Sequence, residues 1–190
     1  MSAEPEHITK GNHRGRRAIH LAALGTMTAI AGLALSAAVL SSRHPEYRRE
    51  LRVAISGKHE LANDHVVRQQ HPNDCGPAVL TMLLRAKGKD VSLQGLTQEM
   101  ELSPEGASMA NLLRTCRRHG LPVECGRIGF HELKEIPLPA VAFVRGNHFV
   151  LVESVDDDGN LVIADPASGR ARVMPWRFRL IWGGAILRTS

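Results

Sequence analysis

The apolar residues of this chain change their spacing at Gly120, and that change constrains the fold more than any other feature. Ahead of it, Val79, Leu80, Met82, Leu83 and Leu84 recur at helical spacing within NDCGPAVLTMLLRAKG, which closes on Lys87-Gly88, so the pattern predicts a core helix starting near Cys75. Pro77 fits its first turn, where no amide partner is needed. SLQGLTQEM predicts a second helix from about Ser92, and Ser108 ahead of MANLLRTCRRHG predicts a third, with Gly120 as its stop. Beyond Gly120, LPVECGRI, PAVAFVRG, HFVLVESV, NLVIAD and ARVMPW are short runs rich in Val and Ile, separated by Gly-Asn, Asp-Asp-Gly and Pro-Ala-Ser-Gly turns. Helices first and antiparallel strands second define an α+β fold, with amino-terminal helices packed on an antiparallel sheet.

The first third of the chain has a different character. Residues 18–40 hold no Asp, Glu, Lys or Arg over 23 positions; as a helix they would extend about 34 Å, enough to cross a bilayer. A cleaved signal peptide, with small residues at Ala34, Ser36 and Ala38, is the alternative to an uncleaved anchor. The expected organisation is therefore a basic tail (1–17), a transmembrane helix or signal anchor (18–40), a juxtamembrane linker (41–63) and a catalytic domain (64–190). Lys10, Arg14, Arg16 and Arg17 precede the span, while Arg43, Arg48, Arg49, Arg52 and Lys58 follow it, so the count of charges barely orients it. Arg16 and Arg17 abut the apolar run like the basic start of a signal anchor, which predicts a catalytic domain on the extracytoplasmic side.

The net charge of +5 is thus concentrated beside the apolar run, pointing to a membrane surface before nucleic acid. Only seven Phe, Trp and Tyr residues occur, and the basic stretches beside the apolar run hold one of them, Tyr47, too few for the interleaved aromatics that a nucleic-acid reader requires. Three cysteines at irregular spacing, Cys75, Cys116 and Cys125, fit neither a disulfide framework nor a four-cysteine zinc site. Cys116 and Cys125 are read either as small buried hydrophobes or, in an oxidising compartment, as a pair. The ten histidines show no metal-ligand spacing, so no metal or other cofactor is expected. Asp156 to Asp158 fall where a hairpin needs a turn, which favours a solvated turn over a calcium loop.

Asp-Cys-Gly at 74–76 puts a thiol at the amino end of the expected core helix, where unpaired amides and the helix dipole favour an anion. Asn147-His148-Phe149 opens one expected strand and Asp165 closes the next, ahead of Pro166. Adjacent antiparallel strands joined by Asp156-Asp157-Asp158-Gly159 bring those two ends together. Asp165 is then placed to hold one imidazole nitrogen of His148 while the other faces Cys75.

QQHPNDCGPAVLTML, GNHFVLVESVDDDGNLVIADPASGRARVMPWRFRLIWGGAIL and the order between them resemble the bacteriocin-processing, double-glycine leader peptidases, a papain-like cysteine peptidase family. The shared marks are a Gln six residues before the Cys, Asp-Cys-Gly, His-Phe-Val, Asp-Pro-x-x-Gly and a closing Phe-x-x-x-Trp-x-Gly, here Phe178, Trp182 and Gly184. The resemblance implies that Gln69 donates its amide to the oxyanion, Cys75 attacks, His148 transfers protons and Asp165 orients it. Residue types alone leave Gln69 and Gln70 equal; the family spacing selects Gln69. The implied activity is proteolysis after small residues, with Gly-Gly leaders of bacteriocin-like precursors as substrates. Better-known members are parts of export ATPases, but no G-x-x-x-x-G-K-[ST] occurs here, so the expectation is a stand-alone peptidase domain served by a separate exporter. Its rivals are another papain-like thiol hydrolase and a non-catalytic peptide-binding module of the same fold.

Overall fold

A computed structural model describes residues 56–62, 65–100 and 102–190. The basic tail, the apolar run at 18–40 and most of the linker lie outside the described residues. Among the described residues no helix is long and apolar enough to cross a membrane.

Strands of alternating outlook explain the unbroken apolar runs after Gly120. In β3 (Ala140–Val144) and β4 (His148–Val155), Val141, Phe149 and Leu151 turn to one face of the sheet, while Ala140, Ala142, Val144, Val150 and Val152 turn to the other. Successive side chains point to opposite faces, so a strand covered on both sides must be apolar throughout. The full sheet has seven strands in the order β1-β6-β5-β4-β3-β7-β2, every neighbouring pair antiparallel. The remaining strands are β1 (Lys58–Glu60), β2 (Val123–Arg127), β5 (Leu161–Asp165), β6 (Gly169–Val173) and β7 (Trp182–Thr189).

Three helices cover the first face: α1 (Cys75–Ala86), α2 (Leu93–Met100) and α3 (Met109–Arg118). α1 lies against β4 and β3 and is itself backed by α2 and α3. Its residues from Cys75 to Leu84 are all buried, as a helix enclosed on every side requires. Thr81, the buried polar residue in that stretch, returns its hydroxyl to the Pro77 carbonyl at 2.8 Å, which satisfies the donor. Gly88 and Gly120 take left-handed φ values of 75° and 68° just past α1 and α3, as expected of helix stops. Ser108 caps α3, its hydroxyl accepting from the Asn111 amide.

The opposite face is sealed by α4 (Pro175–Ile181) and a 3-10 turn at Phe130–Lys134. Phe178 on α4 stacks at 5.3 Å from Trp182, four residues on, and both enter the second core with Leu133 and Ile136. Gly184 explains the end of the Phe-x-x-x-Trp-x-Gly signature. It adopts φ 90°, and a Cβ there would stand 2.8 Å from the Ile128 carbonyl oxygen.

The three expected helices and five expected strands are present. Four additions were not expected: α4, the 3-10 turn at Phe130–Lys134, the interior strand β7, and β1, which takes three residues of the segment read as linker. Cys116 is buried but Cys125 is exposed, and all three cysteines are free. The paired alternative does not occur, and the reading of Cys125 as a buried hydrophobe is corrected: it lies on β2, an edge strand whose later residues face solvent. Burial pushes the Cys116 thiol up to about 12, which suits a packing role. Asp156 closes its hairpin, accepting from the Asn160 amide at 2.8 Å and pairing with Arg172.

Candidate active site

The sheet order makes β4 and β5 neighbours, so the start of one and the end of the other share an edge. His148 opens β4 and Asp165 closes β5, and His148 Nε2 stands 2.7 Å from Asp165 Oδ1. Cys75, the first residue of α1, interacts with the same ring from the helical side. With Nε2 engaged by Asp165, Nδ1 is the nitrogen left for the thiol. The structure thus brings Cys75, His148 and Asp165 into one row at the seam between helices and sheet, with His148 and Asp165 hydrogen-bonded.

Asp165 is 7% exposed and heavily bonded. Its Oδ1 accepts from the Ala167 amide at 2.8 Å and the Ser168 amide at 3.3 Å besides the imidazole; its Oδ2 accepts from the Ser168 hydroxyl at 2.7 Å. Burial alone would raise its pKa, but the donors from His148, Ser168 and Ala167 outweigh burial and hold the carboxyl well below the usual range. His148 shifts the other way. The Asp165 carboxylate, then Cys75, push it up to about 9 against the cost of burial, so at neutral pH the ring is an imidazolium.

Gln69 reaches the same edge on the loop before α1. Its backbone amide donates to the Pro166 carbonyl at 3.1 Å, tying it to the turn that holds Asp165. Its side-chain Nε2 donates one hydrogen to the His71 carbonyl at 3.0 Å. A carboxamide has two N–H groups, so a second remains. Gln70, by contrast, is exposed.

Two contributors were not singled out from the sequence. Asp74, only 3% exposed, turns its carboxylate back from the head of α1, and Oδ2 accepts from the amides of Gln70 and His71, each at 3.1 Å. It fixes the loop that carries Gln69 to the helix that carries Cys75. The signal was its place beside the cysteine. Ser168 is the other, and the signal was a hydroxyl three residues after Asp165 in a tight turn.

Two clefts flank the row. One, of about 370 Å³, is lined by His148, Asp165, Ser168, Lys58, Arg145 and Arg177. The other, of about 380 Å³, is apolar, with Ala107, Met109, Phe143, Phe149 and Ala185 in its walls. Phe149 follows His148, and Ala107 packs on Gly76, which follows Cys75. A roomier cavity of about 640 Å³ walled by Val66, Val67, Met82 and Leu151 contains neither the three row residues nor their chain neighbours, so volume alone does not mark the site.

Comparison with known proteins agrees with this geometry. The family model described as "Peptidase C39 family" matches residues 63–190. The lactococcin-G-processing and transport ATP-binding protein of Lactococcus lactis is 30% identical over 128 residues, which are 64% of this chain and 18% of that protein. The chain therefore spans less than a fifth of that transporter's length. A small uncharacterised protein of Methanothermobacter marburgensis is 31% identical over 127 residues, 67% of this chain and 89% of that one. Among solved structures, a double-glycine-motif protease from an AMS/PCAT transporter in complex with the leader peptide superposes with a TM-score of 0.62 at 26% identity, covering 66% of this chain and 91% of that one. The peptidase domain of Streptococcus ComA has the same fold, with a TM-score of 0.59 at 22% identity over 64% of this chain and 93% of that one. A domain of helices on an antiparallel sheet, with a cysteine, a histidine and an aspartate in one row at their seam, is accordingly a cysteine peptidase domain, and this chain belongs to the peptidase C39 family.

Proposed function

We propose that this chain cleaves peptide bonds after small residues, with Gly-Gly leader sequences of bacteriocin-like precursors as substrates. The observation that carries the reading is the row Cys75–His148–Asp165, with His148 held by Asp165 beside the cysteine at the head of a helix. In the first step Cys75 attacks the scissile carbonyl carbon as the thiolate, its proton already held by His148, and the negative charge moves to the carbonyl oxygen, where the second N–H of Gln69 is the donor. His148 then gives its proton to the leaving amine as the carbon–nitrogen bond breaks, leaving a thioester on Cys75. Water attacks that thioester with His148 as base, which releases the acid and restores the starting pair. Asp165 keeps the ring oriented and compensates its charge throughout.

The apolar cleft between Phe149 and Ala107 suits apolar side chains of a leader, and a solved relative is a double-glycine-motif protease bound to its leader peptide. The test is incubation of the purified chain with a synthetic Gly-Gly leader peptide and mass spectrometry of the products. Cleavage after the second glycine by the native chain and none by Cys75→Ala is the expected result. Tight binding without turnover by the native chain would return it to the peptide-binding class. Anchoring through residues 18–40 and service to a separate exporter belong to the same proposal; they rest on the apolar run and on the transport role in the relative's name.

A further inference from the structure

Lys58 lies five positions ahead of the family match, which begins at residue 63, yet it reaches the site. As the first residue of β1 it pairs with Val173 at the sheet edge, and its Nζ donates to the Ser168 hydroxyl at 2.8 Å. That hydroxyl donates in turn to Asp165 Oδ2 at 2.7 Å. A serine hydroxyl has one hydrogen and rotates freely to suit its partners. An ammonium on the oxygen occupies a lone pair and leaves the hydrogen directed at Asp165. Three donors meet Oδ1, whereas Oδ2 is held by Ser168, so the plane of the carboxylate depends on where that hydroxyl points.

We propose that Lys58 is a positioning residue of this site, acting through Ser168 to lock the Asp165 carboxylate in the plane that orients His148. The segment leading into the domain is thereby part of the reactive row. The inference rests on the peptidase reading above and deepens it. The ionisable groups around the same cleft are Lys58 on β1, Arg145 in the β3–β4 turn, Arg177 on α4, and His148 and Asp165 themselves, with Cys75 meeting His148 from α1. Loosening the Asp165 carboxylate weakens the hydrogen bond that raises His148 most, so a positioning role moves the pH profile downward, whereas loss of the cation alone would move it upward.

The experiment compares the full native chain with Lys58→Met, Lys58→Arg, Ser168→Ala and the Lys58→Met/Ser168→Ala double variant. Two readouts are taken against pH: kcat and KM on a Gly-Gly peptide, and the rate at which iodoacetamide alkylates Cys75, which needs no substrate. Lys58→Met is expected to lower kcat about three- to tenfold with KM unchanged, as for a misoriented catalytic group. It should also move the pH limbs of both readouts downward; movement upward would mark a charge effect alone and overturn the positioning role. Lys58→Arg, which keeps the charge, should restore both. In the Ser168→Ala background, Lys58→Met should cost no further kcat. Unchanged kcat and pH limbs in Lys58→Met, or losses that multiply in the double variant, would overturn the proposal. A native chain that cuts no peptide defeats the peptidase reading instead, while the alkylation profile still decides whether Lys58 acts on the row.

Discussion

Each residue of the Cys75–His148–Asp165 row owes its place to an element boundary: Cys75 begins α1, His148 begins β4 and Asp165 ends β5. Boundaries are what periodicity and turn residues report, so these three positions were legible in the sequence. Asp74, Ser168 and Lys58 were not, because each acts through the direction of a polar side chain in a loop or at an edge, and no period encodes that direction. Gln69 stood between: its residue type was visible, but family spacing was needed to separate it from Gln70. The structure offers a physical ground for the distinction, since Gln69 is tied to Pro166 and His71 while Gln70 is exposed. Gln69→Ala is expected to lower kcat about a hundred- to a thousandfold with little change in KM, the effect of losing one oxyanion donor. Gln70→Ala should change either by less than about twofold if its side chain takes no part in the transition state. The opposite ranking in steady-state kinetics would reassign the donor.

At the scale of elements, the junction of α1 with the loop before α3 sets where the thiol sits. A Cβ on Gly76 would lie 2.6 Å from Ala107 Cβ and 3.3 Å from Leu112 Cδ1. Gly76→Ala must therefore push the head of α1 away from that loop, at a cost of about 1–3 kcal/mol for overpacking. Activity should fall further than stability does, because Cys75 is the adjacent residue and a 1 Å displacement of a reacting group can cost about a hundredfold. Parallel measurement of thermal unfolding and turnover checks this, and a variant that loses stability but keeps native kcat would show that the helix head does not set the thiol. Leu83→Ala, in the enclosed middle of α1, should instead cost about 2–5 kcal/mol in denaturant unfolding. The helices were legible by their period, and most strands as short apolar runs between turn residues. β7 was not, because Gly183-Gly184 interrupt WGGAILRT and read as loop, although Gly184 is there to clear the Ile128 carbonyl. β1 was missed because a three-residue strand is too short to show a period.

For the whole molecule, the His148–Asp165 ion pair between the start of β4 and the end of β5 links stability to pH. His148 is raised from an ordinary 6.5 to about 9, so its contribution to folding is complete below pH about 6.5 and is lost as pH rises through about 9. Asp165 is lowered, so its share is lost only in strong acid. The Tm of the native chain should therefore exceed that of His148→Ala most at pH 6, with the gap narrowing toward pH 9; a gap that widens over that range would contradict the assigned direction. The placement of the domain relative to a membrane rests on residues 18–40 and on Arg16 and Arg17 beside them. A membrane-impermeant maleimide on intact spheroplasts, read at the exposed Cys125 by peptide mass spectrometry, should label the native chain before lysis; labelling only after lysis would place the domain inside. The account stands most directly on the pairing of Cys75 with a protonated His148. The measurement is the rate of iodoacetamide alkylation at Cys75, followed by peptide mass spectrometry at pH 6 with the exposed Cys125 as internal reference. The account predicts that Cys75, though buried, reacts faster than Cys125 in the native chain and slower than Cys125 in His148→Ala. Equal Cys75 rates in the native chain and His148→Ala would contradict it.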